Sequence, residues 1–154
     1  PAVTMALTLL LIPMLLFFTF ARSEHATNKW LADDAETHRR ALEELRAGQF
    51  ADSDDGKALQ DIAKRFHGGA AVADVLAFVE LKTELILRAE EIILAVQSGQ
   101  PLELSPDDRE KFMRLDAIEH RLGRTVLAAI APRLSFTRND LWELSQFRSR
   151  VFEG

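Results

Sequence analysis

What most constrains this chain lies at its start. No charged side chain occurs between Pro1 and Ala21. Ala2 to Ala21 reads AVTMALTLLLIPMLLFFTFA, about 20 residues, which at 1.5 Å rise each makes roughly 30 Å of helix, the thickness of a bilayer core. A secretory signal would show a basic start and an apolar run of about 7–15 residues. Here the run is longer and no Lys or Arg precedes it. A buried helix of a soluble domain is a third reading, and the length favours the spanning one. Pro13 sits mid-span, where membrane helices tolerate proline, usually with a kink. Because the chain begins at Pro1, the simplest expectation is a longer protein whose last membrane helix is residues 1–22.

Every charge lies beyond that segment, so residues 23–154 carry the formal net charge of −5. An acidic tail disfavours nucleic acid as a partner and disfavours electrostatic docking on anionic lipid. Cysteine is absent, which excludes disulfides and thiolate-bound metals. Arg22, Lys29, Arg39 and Arg40 follow the span closely and favour a cytoplasmic tail.

The tail reads as helix throughout, and the expected fold is all-α: one N-terminal transmembrane helix followed by a bundle of about five helices. Trp30 suits either the membrane interface or the first core position. A helix is expected from about Asp34, capped by Asp33 or Asp34 and stopped by Gly48, with Ala35, His38, Leu42 and Leu45 on its apolar face. Ser53 caps the next, whose stripe is Leu59, Ile62 and Phe66, before Gly68 and Gly69 break it. Ala70 to Ser98 is the longest periodic stretch and the expected central helix, its stripe running from Val72 to Val96. Ser105-Pro106-Asp107-Asp108 is a strong helix start, with Leu115, Ile118, Leu122 and Val126 as the buried stripe. Gly123 is expected to loosen that helix and Pro132 to end it. Thr137 and Asp140 form the capping box of the last helix, with Leu141, Leu144, Phe147 and Val151 facing inward.

Candidate chemistry is sparse. None of the four histidines, His25, His38, His67 and His120, belongs to H-E-x-x-H or follows a Glu by three residues. Asp116, Glu119 and His120 have a spacing that can gather three ligands, but with Arg121 and Arg124 alongside they read as a solvated, ion-paired face. His38 reads as a partnered core histidine rather than a ligand. The pairs Glu43-Glu44 and Glu90-Glu91 do not fit E-E-x-x-K and read as solvated faces. No catalytic, cofactor-binding or metal-binding residue is therefore assigned within this chain.

The tail resembles the C-terminal region of bacterial PrsW-type intramembrane metalloproteases. Arg22-Ser23-Glu24, Trp30-Leu31, Arg46-Ala47-Gly48-Gln49-Phe50 and Val72-Ala73-Asp74-Val75-Leu76 carry the likeness in the first half. Glu84-Leu85-Ile86-Leu87-Arg88-Ala89, Leu122-Gly123-Arg124-Thr125 and Arg138-Asn139-Asp140-Leu141-Trp142-Glu143-Leu144 carry it in the second. The resemblance implies a non-catalytic tail plus last span of a protease (a hydrolase of membrane-embedded substrates). Its catalytic motifs and zinc would lie on upstream membrane helices of the same protein. The other expectation is a single-span, membrane-anchored helical adaptor without catalytic activity. The partners implied are the lipid bilayer, through residues 1–22, and those upstream helices.

Overall fold

The computed structural model describes residues 29–67, 70–100 and 102–153, and the apolar segment 1–22 lies outside them, as do Gly68, Gly69 and Pro101. Among the described residues there is no strand, and no helix is long and apolar enough to cross a membrane. Helix α1 covers 29–46. It is followed by the short α2 (Gln49–Asp52), α3 (Asp54–His67), α4 (Ala70–Gln97), α5 (Pro106–Ile130), a 3-10 turn (Ala131–Arg133) and α6 (Arg138–Glu153). The all-α expectation therefore holds, and five of these helices exceed two turns.

The helix boundaries have local causes. Gly48 ends α1 with φ 78°. The Ser53 hydroxyl accepts the Gly56 N–H at 3.0 Å and so caps α3. At α5, Ser105 and Asp108 form a reciprocal capping box with Pro106 in the first position. At α6, Thr137 N–H donates to Asp140 Oδ2 at 2.9 Å while Asp140 N–H donates to the Thr137 hydroxyl at 3.1 Å. Gly123 takes φ 81° and ψ 163°, so α5 kinks there, because an L side chain resists that backbone.

Helix α4 is the axis. It packs against α3, α5 and α6, and its 28 residues extend roughly 42 Å. Val75, Phe78, Val79, Leu81, Leu85, Ile86, Leu87, Ala89 and Ile92 are all buried, and with Thr83 and Glu90 between them they cover about two thirds of its circumference. Glu80, Glu84, Arg88 and Glu91 share the remaining strip, so α4 is covered on all sides but one. Leu59 and Ala63 of α3, Phe112, Leu115, Leu122 and Val126 of α5, and Leu144 and Phe147 of α6 complete the core. Phe112 and Phe147 meet edge to face with centroids 5.1 Å apart.

Helix α1 lies along α4 in the opposite sense. Arg46 reaches Glu84, His38 reaches Glu90 and Arg39 reaches Glu91. Ala35 and Leu42 pack on Leu87, with Leu94 beside them, in a small second cluster. That register puts Trp30 level with the C-terminal end of α4.

Several expectations are corrected. Helix α1 does not start at Asp34. It is already running at residue 29, so Asp34 is an interior helical residue rather than a cap. Phe66, Val96 and Leu141, expected inside, are exposed. Each lies on its expected stripe but one turn nearer a helix end than the buried Ala63, Ile92 and Leu144, where no neighbouring helix covers it. Trp30 is exposed and is not a core aromatic.

Candidate functional site

The unusual place in this fold is the seam where α1, α4 and α6 meet. Asp34 and His38 are four residues apart on α1 and so share one face. Asp140 and Glu143 are three apart on the first turns of α6 and do the same. Between them α4 presents Glu90. Its neighbours along the helix at three and four residues, Ile86, Leu87, Ile93 and Leu94, are all apolar, and it is 0% exposed. The reading of Glu90-Glu91 as a solvated pair fails for Glu90, because the face it occupies is covered by α1 and α6. Glu91 stays outside and pairs with Arg39 at 3.5 Å.

His38 sits between two buried carboxylates. Its Nδ1 makes a short hydrogen bond with Glu90 Oε1, and its Nε2 lies 3.3 Å from Asp140 Oδ2. Burial works to lower the His38 pKa. Hydrogen bonds to Asp140 and Glu90 and their negative charge outweigh it and push it up to about 10. Asp140 is buried too, which alone would raise its pKa. His38 and the Thr137 N–H at the start of α6 together hold it below the usual value. Asp34 moves the other way. Burial first, then the charges of Glu90 and Asp140, raise it to about 7. Glu143 is likewise raised to about 7, by burial and then by Glu90, Asp140 and Asp34.

Four carboxylates thus crowd one imidazole. Among the described residues, no Lys or Arg forms an ion pair with any of them. The buried side-chain oxygens that lack a hydrogen-bond partner are Asp34 Oδ2, Glu90 Oε2, Asp140 Oδ1 and Glu143 Oε2. All of the unpartnered buried side-chain atoms found among the described residues therefore fall in this one cluster. One donor atom each from Asp34, His38, Glu90 and Asp140 lies within 4.8 Å of the other three. Chemically, such a group can share protons or hold a cation.

Beside the cluster is a groove of about 440 Å³ between the C-terminal half of α4, the α4–α5 loop and α6. Ile92, Ile93, Val96, Leu102, Leu104 and Trp142 give it apolar walls, and Glu143 and Arg150 are its charged members. Glu143 thus belongs to both groove and cluster.

The constellations suggested by spacing behave differently. Asp116 is taken by Arg148, which donates two hydrogen bonds at 2.6 and 2.7 Å. Arg121 pairs instead with Asp74 on α4 at 3.0 Å. His120 is exposed. The ion-paired reading of that face therefore holds with different partners. Glu43 and Glu44 are exposed. His25 and the side chain of His67 lie outside the described residues. His38 is partnered in the core, as expected, and its partners Glu90 and Asp140 come from helices that no local sequence pattern links to it.

These features define an all-helical domain with a buried histidine–carboxylate centre. The chain matches no protein-family model, no curated protein and no solved structure.

Proposed function

We propose that this chain is a membrane-anchored, non-catalytic helical domain, the last span and cytoplasmic tail of a PrsW-like intramembrane metalloprotease. One observation carries the anchoring. The uncharged segment 1–21 precedes α1 in the chain, Trp30 in the first turns of α1 is exposed, and Val96, Leu102, Leu104 and Trp142 are exposed along one groove. Apolar and aromatic residues exposed together suit a surface lying near a bilayer. The protease reading is supported by the resemblance, part of whose residues fall at structural junctions while Val72–Leu76 and Glu84–Ala89 lie within α4. Arg46 to Phe50 make the α1–α2 turn, Leu122 to Thr125 surround the α5 kink, and Arg138 to Leu144 open α6.

A single-span adaptor is the second reading, favoured by the apolar groove, which is wide enough to take side chains of a partner helix. Reading the coding sequence upstream of Pro1 separates the two. Several apolar helices bearing E-E-x-x-K and a membrane-embedded histidine support the protease tail. An initiator Met within a few residues eliminates it. The anchoring itself is checked by alkaline extraction of membranes from cells expressing the full chain. Release of the chain into the supernatant contradicts a spanning segment.

A further inference from the structure

We propose that Asp34, His38, Glu90 and Asp140 bind one first-row divalent cation, such as Mn2+ or Zn2+, which ties α1 and α6 to the central helix α4. This site is separate from the zinc that the protease reading places on upstream helices, and it stands or falls independently of that reading.

Three observations carry it. The first is placement. Donors bonded to one ion at about 2.0–2.2 Å stand at most about 4.4 Å apart. The four donor atoms already lie within 4.8 Å of one another, so small side-chain adjustments close the shell. The second is the set of unpartnered oxygens. Glu90 and Asp140 are 0% and 1% exposed, yet each keeps one oxygen with no N–H donor, and the single proton that the neighbouring Asp34 carboxyl can carry serves only one of them at a time. A buried carboxylate oxygen without a donor is costly, and a structure that gathers several at one point calls for a positive charge there. The third is charge. His38 is the single cationic partner of the group among the described residues, and a divalent ion supplies what one imidazolium does not.

The donor set selects the metal class. Three carboxylates and one imidazole are hard-to-borderline ligands, suited to Mn2+, Fe2+ or Zn2+. The imidazole disfavours Ca2+ and Mg2+, which take oxygen. On binding, one His38 nitrogen gives up its proton to solvent and turns the freed lone pair to the ion. The other keeps a carboxylate as its hydrogen-bond partner, as metal-bound histidines do. Glu143 is outside this donor set; it lines the groove beside the cluster and adds to the negative surroundings of the ion.

The test uses the full chain in detergent micelles, stripped with EDTA and then titrated with Mn2+, Zn2+ and, as a spectroscopic probe, Co2+. The expected result is one ion per chain, a Co2+ visible spectrum of low-symmetry N/O coordination, and affinity lowered at least about 100-fold in both Glu90→Gln and Asp140→Asn. Asp116→Asn, outside the site, binds as the parent does. If a carboxylate variant fails to fold, Asp34→Asn, at the half-exposed edge of the cluster, supplies the same comparison. Binding that none of the three variants weakens overturns the proposal. So does the persistence of protonated-carboxyl infrared bands in the metal-treated parent, because protons would then occupy the place assigned to the ion.

Discussion

Helix α4 has two kinds of neighbour, and the two differ in how they are satisfied. Toward α3 and α5 it buries Val75, Leu85 and Ile86 in one cluster with Leu59, Leu122 and Val126, and among the described residues no polar side chain is stranded there. Toward α1 and the start of α6 it buries Glu90 among Asp34, His38, Asp140 and Glu143, and four carboxyl oxygens there have no partner. The first seam is what hydrophobic burial alone builds. The second is a place where the same burial forces like charges together. Nothing about helix packing requires an acid at position 90, since a buried ionic group replaced as a whole by apolar side chains of similar volume often costs no stability. The contrast teaches that the α3–α4–α5 core holds the fold, while the α1–α4–α6 seam is kept for what it binds.

That comparison can be broken or sharpened by substitution. The largest expected effect is in the apolar core. Phe112→Ala removes a fully buried ring packed on Phe147 and is expected to cost about 3–5 kcal/mol in denaturant unfolding. In the metal-stripped protein, His38→Ala leaves Glu90 and Asp140 without their counter-charge, for an expected loss of about 3 kcal/mol. A loss below about 0.5 kcal/mol would show that the seam is already proton-neutralised.

The pH response of the metal-stripped protein follows from the same groups. Asp34 and Glu143, ordinarily near 3.8 and 4.5, titrate at about 7 in the fold, so the folded state holds protons that the unfolded state has lost. Stability therefore falls as pH rises from about 4 to 7. His38, raised to about 10 from 6.5, contributes stability that is whole below 6.5 and lost as pH rises through 10. Asp140, lowered, contributes stability that is whole above about 3.8 and lost only as pH falls through its lower folded pKa, so it plays no part between pH 5 and 9. Urea midpoints measured at pH 5, 7 and 9 should decline in that order, and a rise between pH 5 and 7 would contradict the assignment of Asp34 and Glu143. The smallest effect belongs to the surface. Arg148→Ala breaks a half-exposed pair with Asp116 and should change stability by less than about 1 kcal/mol.

Much of the apolar seam was readable from sequence. Ser105 with Asp108 and Thr137 with Asp140 announced their helix starts, and Leu115, Ile118, Leu122 and Val126 fell on one face as the period required. The polar seam was not, because its members come from three helices whose relative rotation no local pattern gives. A signal did exist at Glu90, an acid whose helical neighbours are all apolar, but adjacency to Glu91 disguised it as a solvated pair. Asp140 was hidden by doing two things at once, since the oxygen that caps α6 also faces His38. Asp34 was misplaced because an acid before a periodic stretch resembles a cap, whereas α1 is already helical at residue 29.

The most direct test of the central claim is thermal unfolding of the EDTA-stripped chain with and without saturating Mn2+, run in parallel on the parent and on Glu90→Gln. A ligand held only by the folded state at about 100 times its Kd adds about 2.7 kcal/mol, or roughly 5–10 °C in Tm for a chain of this size. The expected outcome is that rise in the parent and none in Glu90→Gln. Equal rises in both, or no rise in either, would mean that the buried carboxylates around His38 do not hold a metal.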